Sequence, residues 1–182
     1  MSLSKSLLRV ALATALLLLI PLVAMQFDTG VQWTLFDFLV AGVLLFGAGS
    51  AFVLLVRVGN SASYRLAVAV AVLSGLLLVW GNLAVGFIGS EDNPANLLYG
   101  AVLAMAFIGS LAARFRPLGM ANTMFAAALV QFLVPFVAMA IWRPELNLGV
   151  LWVVVLNTLF AGLWVAAGWL FRRAGMAGSY AN

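Results

Sequence analysis

The chain has 182 residues, of which 66% are hydrophobic and only 8% are charged. A soluble domain is about half apolar and about a quarter charged, so this composition excludes a water-facing surface of ordinary size. The apolar residues form continuous runs about twenty residues long, which also excludes the short alternating strands of a membrane barrel. The composition therefore indicates a helical integral membrane protein.

Two residue types that carry much membrane chemistry are missing. The chain contains no cysteine and no histidine. This excludes disulfides, thiolate nucleophiles, the usual haem ligand and the commonest zinc ligand. We therefore expect no cofactor, no metal site and no catalytic residue. An enzyme is the weaker hypothesis, although one that acts on lipid stays open.

Six apolar runs follow one another along the chain, each long enough to cross about 30 Å of hydrocarbon. They cover residues 7–25, 35–56, 66–88, 97–113, 120–141 and 148–171. The first has the basic start of a signal segment, but its apolar core is long and its small-x-small cleavage pattern is poor. We read it as a span. The runs predict an all-α, polytopic membrane helical bundle that forms a single domain over residues 1–182.

The charges sort to opposite sides of this six-span arrangement. One side carries eight of the nine basic residues: Lys5, Arg9, Arg57, Arg65, Arg114, Arg116, Arg172 and Arg173. The other side carries every acid and one arginine: Asp28, Asp37, Glu91, Asp92, Glu145 and Arg143. The positive-inside rule then places both termini in the cytoplasm. The net charge of +4 is an orientation signal, so no nucleic-acid partner is expected.

A short acidic hairpin, Gly89–Asn96, lies between the third and fourth runs. In it, Asn93 before Pro94 is typical of a helix start, and acids just ahead of a helix favour its positive dipole end. The alternative is an oxygen-rich mouth for a cation or polar ligand, built by Glu91, Asp92, Asn93 and Asn96. A calcium site would require further carboxylates from elsewhere in the chain.

Asp37 lies at the outer edge of the second run. An acid at that depth is costly unless it is paired or hydrated, which makes it a functional candidate. The alternative is a carboxylate in the first turn of a helix. Arg143 is its predicted ionic partner, and Glu145 and the Glu91/Asp92 pair compete for that arginine.

Asn82, Gln131 and Asn157 are the polar residues within the third, fifth and sixth runs. They are predicted to hydrogen-bond across helices as glue. The alternative is a shared polar cavity that opens outward beneath the acidic hairpin, since Asn82 would lie roughly 10 Å below Gly89 on a helix.

Small residues recur at four-residue spacing, which lets helices approach closely. The pairs are Gly100/Ala104, Gly109/Ala113 and Gly162/Ala166.

The segment from Asn82 to Gln131 resembles a family of small bacterial inner-membrane proteins to which no activity is assigned. The resemblance is carried by Gly-Ser-Glu-Asp-Asn-Pro-Ala-Asn at 89–96, Ala-Arg-Phe-Arg-Pro at 113–117 and Gly-Met-Ala at 119–121. It covers about a quarter of the chain. It implies a bacterial origin and a polytopic fold, and it implies no activity.

Two functional hypotheses follow. The first is a non-enzymatic accessory or scaffold subunit that packs against membrane lipids and against a second copy of itself or a larger membrane complex. The second is a small transporter or channel-like protein for a cation or small polar solute that enters from the acidic outer face.

Overall fold

The computed structural model of the chain describes residues 2–27, 30–59 and 61–179, with side chains to 177. Six α-helices cover most of these residues, and a 3₁₀ turn at Pro94–Leu98 leads into the fourth. The helices are α1 (Leu3–Ala24), α2 (Leu35–Leu55), α3 (Ala62–Ala84), α4 (Tyr99–Ala112), α5 (Pro117–Trp142) and α6 (Leu148–Ser179). With the 3₁₀ turn counted in the fourth span, each is long and apolar enough to cross a membrane. The predicted all-α class with six spans is thus confirmed, and the chain is a multi-pass membrane protein.

The chain divides into two compact units, one ending at Arg57 and the other beginning at Val58. The first unit is the hairpin of α1 and α2. Close packing at Gly49 joins the helices, because a Cβ there would lie 2.6 Å from Val10 Cγ1. Near the chain's start, Arg57 Nη2 donates a hydrogen bond to Ser6 Oγ at 3.2 Å. Asp28, one of the predicted outer acids, lies outside the described residues.

The second unit contains α3 to α6, and we call it the four-helix unit. Within it, α6 packs against both α3 and α5, and α5 also packs against α4. Small buried side chains on α5, among them Ala121, Ala127 and Ala138, let the neighbouring helices approach. The largest buried ring, Trp164 of α6, reaches to within 3.8 Å of a Cβ position at Gly75 on α3.

The helix ends differ from the predicted spans where the backbone turns. The third run was expected to continue to residue 88, but α3 ends at Ala84 and Gly86 has a φ of +64°. A glycine adopts this left-handed conformation without a Cβ penalty, so the chain leaves the helix there. The sixth helix continues beyond residue 171 to Ser179, which carries Arg172 and Arg173 on its last turns.

Charge is also segregated within the second unit. The contacts of Tyr64 with Phe115 and Phe171 bring together the start of α3, the α4–α5 turn and the last part of α6. That end carries five arginines, which we call the basic end: Arg65, Arg114, Arg116, Arg172 and Arg173. The opposite, acidic end holds the α3–α4 loop with Glu91 and Asp92, and the α5–α6 loop with Glu145.

Candidate functional site

The clearest polar site is a buried hydrogen-bonded chain that links α4, α5 and α6. Gln131 Nε2 donates to Asn157 Oδ1 at 2.8 Å, and Asn157 Nδ2 donates to the Tyr99 hydroxyl at 2.9 Å. Asn157 Nδ2 also donates to the Val153 carbonyl of its own helix at 2.8 Å. Gln131 is 0% exposed and Asn157 is 1% exposed. We call Tyr99, Asn157 and Gln131 the polar cluster.

Helical spacing explains why these side chains meet. On α6, Asn157 shares one face with Trp164 and Phe171, each seven residues further on, and all three are buried. On α5, Gln131 lies on the face that also buries Met124. These faces meet where α5 and α6 pack, so the two amides become partners in an apolar interior.

The polar cluster is not fully satisfied. Gln131 Oε1 is buried and has no hydrogen-bond partner in the described structure. Pro135, one turn later on α5, has no N–H to bond with the Gln131 carbonyl. Gln131 Oε1 therefore lacks a hydrogen-bond donor, and the Gln131 backbone carbonyl lacks the N–H that normally bonds to it in a helix.

Asn82 makes no described hydrogen bond to the polar cluster. Its Nδ2 donates to the Leu78 carbonyl of the same helix at 2.9 Å, and its buried Oδ1 has no partner among the described residues. The predicted pairing across helices is therefore seen for Gln131 and Asn157, whereas the described bond of Asn82 is local.

The acidic hairpin is part of a structured loop, residues 85–98, which Asn96 organises. Asn96 Oδ1 accepts hydrogen bonds from the backbone N–H groups of Phe87 at 3.1 Å and Ile88 at 2.9 Å. Its Nδ2 donates to the carbonyls of Ile88 at 3.3 Å and Ser90 at 2.6 Å. One side chain thus replaces the backbone ladder that a helix or strand would have supplied.

The same loop is fixed to the bundle by Phe87. Its ring lies 5.5 Å from that of Tyr99 and 5.3 Å from that of Phe160, measured between centroids. A Cβ at Gly81 of α3 would overlap the Phe87 ring, so that glycine makes room for it. The loop therefore lies directly beside the polar cluster, because Tyr99 belongs to both.

Asn96→Ala is expected to remove four hydrogen bonds and to destabilise the loop by roughly 1–3 kcal/mol, because partly buried backbone groups lose their partners. Faster amide hydrogen exchange at Phe87 and Ile88 would report it. Asn93→Ala is the matched control, because Asn93 Oδ1 accepts only one described bond, from the Ala95 N–H at 2.9 Å. Equal exchange in the two variants would contradict the organising role of Asn96.

The predicted helix start at Asn93–Pro94 is present, although it opens with a 3₁₀ turn before α4. Glu91 and Asp92 are exposed, while Asn93 is half-buried at the rim of a cavity of about 110 Å³. Apolar residues of α5 and α6, such as Met139, Trp142 and Val153, form much of its wall. Neither the polar cluster nor Asn82 lines this cavity, so it differs from the shared polar cavity predicted beneath the hairpin, and that shared cavity stays a prediction.

The remaining candidates lie on separate elements. Asp37 takes part in a capping box: its Oδ2 accepts from Thr34 N–H at 2.7 Å and from Thr34 Oγ1 at 2.8 Å. Arg143 ends α5 with a φ of 47°, and both it and Glu145 are exposed. A pairing of Asp37 with Arg143 stays a prediction. Within the described ranges, no group of three acids comes together that could hold a metal ion.

Sequence reasoning missed Tyr99, which joins the loop to the polar cluster. The available signal was a tyrosine inside an apolar span, because a buried hydroxyl usually requires a hydrogen-bond partner. No family profile, curated protein or solved structure matches this chain.

Proposed function

We propose that the protein is a non-enzymatic accessory or scaffold subunit of a larger membrane assembly. The observation that carries this proposal is the polar cluster, whose side chains hydrogen-bond one another across three helices. Such bonds fix helix positions in an apolar medium. A rigid helical frame suits a protein whose function is to bind other subunits of a membrane assembly.

Outward-facing small residues support the same proposal. Gly100 and Ala104 on α4 are exposed, as are Gly162 and Ala166 on α6. A Cβ at Gly100 or Gly162 would meet nothing within 4 Å. By contrast, a Cβ at Gly109 would lie 2.6 Å from Thr123 Cγ2, so that glycine is used inside the unit. The outward pairs leave room for a helix of another chain to approach closely.

We further propose that the membrane is a bacterial inner membrane, that both termini are cytoplasmic, and that the chain belongs to the family it resembles. Five of the six arginines of the four-helix unit lie at the end opposite its acids, and this segregation supports the orientation. Cysteine-accessibility labelling tests it: a cysteine at Ser90 should react with an impermeant maleimide from outside, and one at Arg173 should not.

Filling the outward face of α6 tests the scaffold proposal. Gly162→Leu together with Ala166→Leu is expected to abolish co-purification of partner chains after mild extraction. The free energy of unfolding should change by no more than about 0.5 kcal/mol, because both residues are exposed. The control is Val165→Leu, an exposed position on the same helix. Partner recovery that survives the double substitution would exclude this face, and a wild-type protein that extracts alone would oppose the scaffold role itself.

A second function, a small conduit for a cation or polar solute, is favoured by one specific observation. Gln131 Oε1 and Asn82 Oδ1 are buried acceptors without described partners. In transporters, polar groups within the spanning helices mark the paths of ions and substrates. Cation flux into vesicles containing the purified protein tests it. Flux that falls in Gln131→Leu but not in Thr158→Val would favour transport, and absence of flux above protein-free vesicles would exclude it.

A further inference from the structure

Three arginine-bearing segments of the four-helix unit meet at one buried residue, Tyr64. Its hydroxyl donates a hydrogen bond to the Phe115 carbonyl at 3.0 Å, and its ring packs edge-on against Phe171 with centroids 5.2 Å apart. Tyr64 is 1% exposed and Phe171 is 0% exposed. The start of α3, the α4–α5 turn and the last part of α6 are therefore held together.

Each of these three contact residues has an arginine beside it in the chain. Arg65 follows Tyr64, Arg172 follows Phe171, and Phe115 is flanked on both sides. All four arginines are exposed. We call Arg65, Arg114, Arg116 and Arg172 the arginine cluster.

The described acids of the four-helix unit lie away from this cluster. Glu91, Asp92 and Glu145, the acids of the four-helix unit, lie on the loops at its acidic end. None of the described hydrogen bonds in the structured ranges is made by a guanidinium of the cluster. Like charges at one end of an apolar bundle repel one another, and an anion from outside the chain would reduce this repulsion.

The α4–α5 turn presents its arginines on a fixed backbone. Arg114 and Phe115 have φ values of 49° and 57°, so two successive residues other than glycine are left-handed. Such a conformation is costly and persists where neighbouring contacts hold it, here the Tyr64 hydrogen bond. A fixed turn loses less freedom when it binds a ligand.

We propose that the arginine cluster binds the phosphate headgroup of an anionic phospholipid. Guanidinium groups match phosphate oxygens in paired hydrogen bonds. The cluster lies toward the ends of the membrane-spanning helices, where lipid headgroups are expected. Leu118 and Trp169 are both more than half exposed nearby and offer apolar surface to the acyl chains, which favours a lipid over an acidic soluble protein.

The test compares two identical substitutions at opposite ends of the unit. Arg114 and Arg143 both have left-handed backbone, with φ values of 49° and 47°, so glycine suits either position. The full-length protein in neutral detergent is incubated with phosphatidylglycerol and phosphatidylcholine. Native mass spectrometry then gives the ratio of the two lipids bound. Wild type should favour phosphatidylglycerol, Arg114→Gly should lower the ratio about fivefold, and Arg143→Gly should leave it unchanged.

Further variants extend the series. Arg116→Gln and Arg172→Gln should each lower the ratio by a similar factor, and added salt should reduce the wild-type preference. These two variants also decide the outcome should Arg114→Gly prove unstable in a parallel thermal melt. No wild-type preference for phosphatidylglycerol, an equal loss in Arg143→Gly, or an unchanged ratio in all cluster variants would overturn the proposal. Capture of an acidic protein with an unchanged lipid ratio would do the same.

Discussion

Gly86→Ala is expected to destabilise the protein more than any other single-methyl change in the α3–α4 loop. A Cβ at Gly86 would overlap the backbone of Ser90 and Glu91, which cannot move aside as a flexible side chain can. The φ of +64° adds strain for any residue with a Cβ. Strain of about 1–3 kcal/mol and overpacking of about 1–3 kcal/mol together predict a loss of roughly 2–6 kcal/mol. Reversible unfolding in mixed micelles measures it.

Gly30→Ala provides the matched control for this experiment. Gly30 has a similar φ of +72°, but a Cβ there would meet nothing within 4 Å. Gly30→Ala should therefore lower the free energy of unfolding only by the cost of a left-handed backbone, about 1–2 kcal/mol. Gly89→Ala should fall between the two, because its Cβ would meet the movable Asn93 side chain at 2.8 Å. If Gly86→Ala and Gly30→Ala cost the same, the loop does not pack as described.

Asn157→Leu is expected to destabilise the four-helix unit by roughly 2–4 kcal/mol. It removes two interhelical hydrogen bonds, which average about 0.6 kcal/mol each in membrane proteins, and leaves the buried Gln131 amide unpaired. Stranding a buried polar group adds about 1–3 kcal/mol. Unfolding in mixed micelles again gives the value. Thr158→Val is the control, because the neighbouring Thr158 is exposed and its hydroxyl bonds only to the Val154 carbonyl of its own helix.

A double-mutant cycle separates the pairing from the packing. Gln131→Leu combined with Asn157→Leu should be little worse than Asn157→Leu alone, because the stranded amide is removed together with its partner. A coupling energy of about 1 kcal/mol is expected for residues in direct contact. Strictly additive losses would show that the two amides contribute separately, and the polar cluster could then not carry the scaffold proposal.

The asparagines and the carboxylates of the acidic hairpin have different environments. Its asparagines are used within the loop, since Asn96 holds the backbone and Asn93 caps the 3₁₀ turn. Its carboxylates, Glu91 and Asp92, remain exposed and are therefore accessible to a ligand. The loop is thus a fixed cap beside the polar cluster, held by Phe87, and a ligand-binding role for its carboxylates stays a prediction.

Length and hydropathy were enough to predict the six helices, because crossing hydrocarbon demands an apolar run whose backbone bonds are satisfied within the helix. Asn93–Pro94 predicted a helix start for the same local reason: a cap and a fixed φ act over a few residues. The first-turn reading of Asp37 is likewise local, and its capping box with Thr34 agrees with it.

Only the tertiary structure decided which polar groups meet. Asn82, Gln131 and Asn157 looked equivalent along the chain, because each is one amide in an apolar run. The packing of α5 against α6 pairs Gln131 with Asn157 and adds Tyr99, whereas Asn82 bonds within α3. In the sequence, the arginines beside Tyr64, Phe115 and Phe171 likewise indicated only the orientation in the membrane. Helix packing brings them to one end of the four-helix unit. Contacts between distant residues depend on which helix faces meet, and hydropathy, which is nearly uniform around these helices, does not specify that.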